Sequence, residues 1–381
     1  MVKRRNIFIL TLSIILGLVS CKQKEQSLEA NKIPVDKNAT KETVALYNRL
    51  FKLMDKGIML AHQDDLAYGH NWYRVDGRSD VKDVIGDYPA MIGFELGHLE
   101  IASQFNLDSV YFTDMKRYVK ETHSRGGYTT FSWHGNNIAT GNTSWDCKQD
   151  TVVRSVLAGG IHHDEYLVWL DRLAAFFLDL KDDQGTLIPV VFRMYHEHTG
   201  DWFWWCSKQC TPEEYKKLWV MTLEYLRDKK GVHNLIYAYS SSNVRDEAHY
   251  LERYPGDEYV DVLGFDHYLK GRTQADVDKY KVDFERNIQI VTGYAAKSGK
   301  LPIIGETGEE SVWDTTYFTN IVYPIINKYK VGWILFWRNA WSADKPDHYY
   351  LPFAGHPAAN DLKEFVEKPN ILTNKDLKHD Y

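Results

Sequence analysis

Eight short apolar runs alternate with longer amphipathic stretches from residue 57 onward, and this rhythm restricts the fold more than any other feature of the chain. The runs fall at 57–61, 88–94, 127–133, 188–194, 234–239, 260–265, 301–305 and 331–337. Helix-like stretches at 107–125, 163–182, 212–230, 246–254, 274–299 and 314–328 separate them, and 358–367 follows the last. Strands that are apolar throughout are buried on both faces, as in parallel sheets, and eight βα repeats suffice to close such a sheet. The expected fold is therefore α/β, a single (β/α)8 TIM barrel. An open doubly wound sheet is the alternative, but it would not call for eight units. Thr211-Pro212-Glu213-Glu214 carries a helix start signal: a hydroxyl cap, proline in the first turn and acids against the helix dipole. Behind it Tyr215, Leu218, Trp219, Thr222, Leu223 and Leu226 keep helical spacing, so one face is buried. The connection 62–87 is the least regular.

Polar and aromatic residues gather where the runs end: His62 and Gln63, Glu95, His134, His196 and Glu197, 240–242, 266–268, Glu306, Trp337 and Arg338. In a barrel these positions converge on the C-terminal mouth, where active sites are built. Two of them stand out. Glu197 lies between His196 and His198, just before a turn at Gly200 and the aromatic block 202–205. Glu306 ends the run 301–305. Cleaving a glycosidic bond with retention needs two carboxyl groups about 5–5.5 Å apart, one protonated and one ionised. Either glutamate alone reads most simply as a solvated or ion-paired side chain, but the pair in this setting favours that chemistry. Composition agrees: with 12 Trp, 25 Tyr and 16 Phe, the chain has more flat rings than a core needs, and sugar rings stack well on them. An apolar share of 44% excludes a disordered chain. With 46 basic against 52 acidic residues, the net charge of −6 argues against nucleic-acid binding. The 15 histidines raise a metal-dependent hydrolase as a rival, yet most lack the acidic companions or spacing of metal sites, so no metal and no cofactor is expected. A second rival is a non-catalytic glycan-binding protein that uses the tryptophans alone.

The ordered set R-M-Y-H-E-H-T-G-D-W-F-W-W, F-D-H-Y, I-G-E-T-G and F-W-R-N resembles glycoside hydrolase family 26, over roughly residues 45–367. These are mainly retaining β-1,4-mannanases on a (β/α)8 barrel. The resemblance implies Glu197 as acid/base and Glu306 as nucleophile, with His196 and Tyr268 orienting the pair. It implies Trp202 and Trp337 as a platform around the cleavage point, and His134 and Arg338 as ligands of sugar hydroxyls. The implied substrates are β-mannan, glucomannan, galactomannan or manno-oligosaccharides; relatives acting on β-1,3-xylan or mixed-linkage β-glucan keep those open. Arg338 is either such a ligand or a structural ion pair, and Asp266 either binds a hydroxyl or holds its loop. Trp333 and Trp341 read as core or rim. Two departures, Cys206 where glycine commonly follows the aromatic block and Thr307 before Gly308, bear on outer subsites.

The N-terminus reads as an address. Lys3, Arg4 and Arg5 precede the apolar run 7–18, too short to span a bilayer, and Leu18-Val19-Ser20-Cys21 resembles the lipobox of bacterial lipoproteins. The resemblance implies a signal peptide over 1–20, lipidation of Cys21 and a flexible tether over 21–40 ahead of a catalytic domain at 41–381. It also implies an exported protein of a Gram-negative cell, on the periplasmic or outer face, touching the membrane only through its lipid. Cys206 and Cys210 are close enough in sequence to pair, with Cys147 a competing partner, and the spacing does not choose between them.

Overall fold

Eight parallel strands form a closed ring in the computed structural model, which describes Met1 and residues 32–377. They are β1 (Ile58–Gln63), β2 (Met91–Glu95), β3 (Tyr128–Trp133), β4 (Val190–Met194), β5 (Leu235–Ser241), β6 (Val262–Leu269), β7 (Ile304–Glu309) and β8 (Trp333–Phe336). Each pairs with the next, and β8 returns to β1 through Met59↔Trp333 to His62↔Phe336. The barrel expected from the sequence is present, every strand overlapping its apolar run. Cys21, the expected signal peptide and most of the expected tether lie outside the described residues.

Residues 34–40, which the tether was expected to include, are instead docked on the barrel. The Val35 amide donates to Asp261 (2.7 Å) and buried Asp36 pairs with His233 (2.8 Å). Thr40 then caps α1 (Lys41–Lys56), a helix that precedes the repeating pattern. Its Leu46, Tyr47, Leu50 and Leu53 join the apolar cluster of the barrel interior, and Tyr47 donates to the Asp261 carbonyl just before β6. This helix therefore plugs the N-terminal end of the barrel. The irregular 62–87 connection holds a small hairpin (Tyr68–Gly69 with Trp72–Tyr73) and α2 (Asp80–Ile85). The start signal at Thr211 forms a full capping box with Glu214, opening the helix Pro212–Glu224.

Strand side chains alternate between two apolar sets. Met59, Met91, Val191, Ile236, Val262, Leu301, Ile303 and Leu335 fill the interior, while Leu60, Ile92, Phe192, Tyr237, Leu263 and Ile334 face the helices. The alternation breaks at two places, and both carry a glutamate to the mouth. In the segment leading into β7, Leu301 and Ile303 point inward, so period two would send 305 and 307 inward and Glu306 outward. Against β6 the register moves from Pro302↔Leu263 to Glu306↔Asp266, and against β8 from Ile304↔Ile334 to Thr307↔Phe336. One extra residue thus sits in β7 relative to both neighbours, which is a β-bulge. Gly305 and Glu306 consequently both face inward, and Thr307 turns out to bond Tyr280 on the outer layer (2.8 Å). Only glycine fits at 305, because a Cβ there would lie 2.4 Å from Asp266 Oδ1.

After β4 the break is a reversal of backbone hand. Tyr195 and Glu197 have φ of 47° and 56°, the left-handed region that side chains rarely adopt. Tyr195 is thereby turned outward to Tyr166 and Thr222, and His196 inward. Packing below the mouth should carry much of the stability. Ile236→Ala, at a fully buried interior position, is expected to cost about 2–5 kcal/mol by chemical denaturation; a loss under about 1 kcal/mol would mean that the interior is not close-packed.

Candidate active site

Three carboxylates meet at the mouth. Glu197, Asp266 and Glu306 each present an oxygen within 4.8 Å of the others, and they form the candidate metal-ligand group among the described residues. A positive charge is already there: Arg193, pointing inward from β4, donates to Asp266 Oδ2 (2.8 Å) and to Glu306 Oε1. The Arg193 side chain is 3% exposed, so this is an ion triad held away from water. Asp266 also accepts from Ser240 (2.9 Å). Its contacts are those of a group that holds the site together. Burial drives the Asp266 carboxyl well upward, with Arg193 opposing.

Tyr268 donates its hydroxyl to Glu306 Oε2 (2.6 Å), and His196 Nε2 stands 3.9 Å from Oε1. Glu306 is thus held at both oxygens, by Arg193 and Tyr268, with His196 beside it. Glu197 is half-buried and accepts one bond, from the indole of Trp202 (2.5 Å). Burial and the nearby Glu306 charge push its carboxyl up to about 7, against the pull of Trp202, His134 and Arg193. One acid of the pair is therefore poised to hold a proton near neutrality, as a proton donor must.

The other expected contacts are distributed differently. His134 has a protein partner on each ring nitrogen: Glu95 on Nδ1 (2.7 Å) and His196 on Nε2 (3.1 Å). The sugar contact expected of it therefore has no free ring nitrogen to use. Arg338 is ion-paired to buried Asp108 (3.0 Å), the structural alternative considered for it. Trp337 is half-buried at the mouth, its ring 6.3 Å from that of His134 and steeply inclined to it. Seven of the twelve tryptophans prove to be core: Trp72, Trp133, Trp169, Trp204, Trp205, Trp219 and Trp333 are buried. Trp205 bonds the His196 carbonyl (2.8 Å) and Trp204 that of Gly135 (2.9 Å), so the aromatic block braces the loop that carries Glu197. Trp202 alone of that block's tryptophans touches a site carboxylate.

Cys147, Cys206 and Cys210 are free thiols; Cys206 donates to the Glu197 carbonyl (3.3 Å) and Cys210 lies against Arg253 (2.8 Å). Sequence reasoning gave no role to Arg193 or Asp108, and placed Glu95 at the mouth without a partner. The signal for Arg193 was its place inside the first motif, one residue before the end of its strand, where a charge needs a reason. A cleft of about 580 Å³ leads from Glu197 past Trp202, Ser242 and Asn243 to Lys270.

The family model described as Glycosyl hydrolase family 26 matches residues 35–330. A solved GH26 β-mannanase from Bacteroides ovatus is 43% identical with a TM-score of 0.85, covering 90% of this chain and 99% of that one. A mannan endo-1,4-β-mannosidase of Bifidobacterium adolescentis is 32% identical over 90% of this chain, which spans 35% of that protein's length. One from Bacillus subtilis is 25% identical, covering 90% of this chain and 91% of its own. Removing Arg193 would leave buried acids facing one another, so Arg193→Ala should destabilise the chain by about 3–5 kcal/mol in urea unfolding at pH 7; an unchanged midpoint would mean that the triad is already hydrated and screened.

Proposed function

Because the chain belongs to glycosyl hydrolase family 26, we propose that it hydrolyses β-1,4-mannosidic linkages of mannan, glucomannan or galactomannan with retention of anomeric configuration. Support for the substrate comes from the mannanases to which the chain is similar. The observation that carries the mechanism is the gap between Glu197 and Glu306, which present oxygens within 4.8 Å of each other. Inverting enzymes leave roughly 6.5–9.5 Å for a water molecule; retaining ones leave about 5–5.5 Å.

In the first step Glu306 attacks the anomeric carbon as the glycosidic C–O bond breaks, and Glu197 gives its proton to the departing oxygen. In the second, Glu197 takes a proton from water, whose oxygen displaces Glu306 from the sugar. Tyr268 and Arg193 hold the two oxygens of Glu306, aiming the carboxylate and spreading its charge. Trp202 holds Glu197 through its indole and offers a ring beside the cleavage point.

We also propose that Cys21 is the acylated N-terminus of an exported lipoprotein, anchored by lipid to a Gram-negative membrane. The basic cluster, the short apolar run and the Leu-Val-Ser-Cys end of that run support this reading. Cys21→Ala should move the protein from the membrane pellet to the soluble fraction; unchanged fractionation would contradict lipidation.

Proton NMR during mannan hydrolysis should show the β-anomer released first, and the α-anomer first would refute retention. Glu306→Ala should abolish turnover of every substrate. Glu197→Ala should still release a good aryl leaving group in the first step, which then needs no proton donor, but should turn over slowly, because the base of the second step is lost as well. Activity towards poor leaving groups should fall as pH rises through about 7, where Glu197 loses its proton. That limb should vanish in Glu197→Gln assayed with a good leaving group. A product profile across mannan, β-1,3-xylan and mixed-linkage β-glucan decides the polysaccharide.

A further inference from the structure

Behind the carboxylate pair lies a buried charge that the mechanism above does not use. Glu95, the last residue of β2, is fully buried. Its Oε1 accepts the backbone amides of Gly97 and His134 (both 2.6 Å), and its Oε2 accepts the Ser132 hydroxyl (2.5 Å) and faces His134 Nδ1 (2.7 Å). Four bonds saturate a carboxylate, and every donor is aimed at the ionised form. A buried carboxylate also needs a counter-charge, and the one ionisable group among those four donors is the His134 ring.

That ring is the next link. Its Nε2 meets the Nε2 of His196 at 3.1 Å, nitrogen to nitrogen, so one carries the proton and the other the lone pair. His196 Nε2 in turn stands 3.9 Å from Glu306 Oε1, while its Nδ1 is buried without a partner. His134 also lies flat under the Trp145 ring, 5.1 Å away and 8° from parallel, where the π face favours a cation. Three buried groups thus run in a line from Glu95 to the floor of the site.

We propose that Glu95 is a positioning residue for the reaction: its buried carboxylate holds His134 as an imidazolium whose Nε2–H donates to His196, and so fixes which proton His196 carries beside Glu306. The inference rests on the reading of Glu306 as nucleophile. With His134 as donor, the proton of neutral His196 sits on Nδ1 and none is offered to Glu306 from that side. Glu306 Oε1 is then held by Arg193 alone, and a fixed positive charge stands behind the acid pair. The electrostatics run the same way. Burial works against a charged His134, but the Glu95 charge and bond, with Glu306 and Glu197 behind them, keep it above the ordinary histidine value. Burial, Arg193, His134 and His198 hold His196 well below that value. Burial opposes ionisation of Glu95 as well, yet His134 outweighs it and keeps the carboxyl below its usual range.

Nitrogen-15 NMR of the full-length chain labelled at histidine, at pH 7, tests the proton inventory without any substitution. The expected result is both nitrogens of His134 protonated and His196 neutral with its proton on Nδ1. A neutral His134, or a proton on His196 Nε2, would overturn the proposal. The second arm is Glu95→Gln, which keeps the volume and removes the charge. With an aryl β-mannobioside bearing a good leaving group, where the proton donor is not needed, kcat should fall by roughly ten- to a hundredfold with KM little changed. The His134 signals should move to the neutral ring, and Glu95→Asp should recover part of kcat. An unchanged kcat in folded Glu95→Gln, or a loss confined to KM, would refute the role. Should that variant not fold, the NMR of the unsubstituted chain decides. Failure of the nucleophile reading shows separately, as inversion or as surviving activity in Glu306→Ala.

Discussion

The site depends on one buried cation. Arg193 stands between Asp266 and Glu306 with almost none of its guanidinium exposed, and Glu197 lies just beyond. Three carboxylates this close could not all remain charged unaided, since desolvation and mutual repulsion act in the same direction. Arg193 relieves the repulsion unequally. It bonds Asp266 and Glu306 directly and reaches Glu197 only through space. Burial still drives Asp266 well upward inside the triad, and Glu197, outside it and with Glu306 beside it, rises to about 7, where it can give a proton.

Delivering these groups costs the barrel its regularity at two points. A plain strand would have turned Glu306 towards the helices and Thr307 inward; the extra residue at Gly305 exchanges them. A plain exit from β4 would have sent Tyr195 inward; its left-handed backbone hands that direction to His196 and then swings Glu197 over the mouth. Both departures are held by packing around them. Tyr195 is gripped by Tyr166, Thr222 and Tyr215, and the loop after Glu197 is pinned by the indoles of Trp204 and Trp205. Strain at the reacting residues is thus supported by the aromatic core beneath them.

This distribution explains what could be read from the sequence. The eight apolar runs report burial on both faces, so strand number and barrel closure were legible, as was the capping box at Thr211. Glu197 and Glu306 stood out because charged residues ending apolar strands have few structural uses. The bulge was not legible, because one extra residue leaves no mark in a run as short as 301–305; the strand was expected to stop at Gly305 and in fact continues to Glu309. Helix α1 was missed because it precedes the repeat, and docking of residues 34–40 was missed because their polarity resembles that of a linker. The tryptophan surplus was read as sugar-facing, whereas seven of those twelve rings are core. Composition counts rings but does not say which way they point. Arg193 was legible only as a motif residue and Glu95 only as a strand-end acid, because the role of each depends on a partner far along the chain, Glu306 or His134.

A covalent link through Glu306 is the central claim, and it can be caught directly. A 2-deoxy-2-fluoro mannoside with a good leaving group slows the second step more than the first and lets the glycosyl-enzyme accumulate. Mass spectrometry of the digested protein should then place the sugar on the peptide containing Glu306, with Glu197 and Asp266 unmodified. A sugar on either of those residues, or no adduct while the leaving group is still released, would contradict the account.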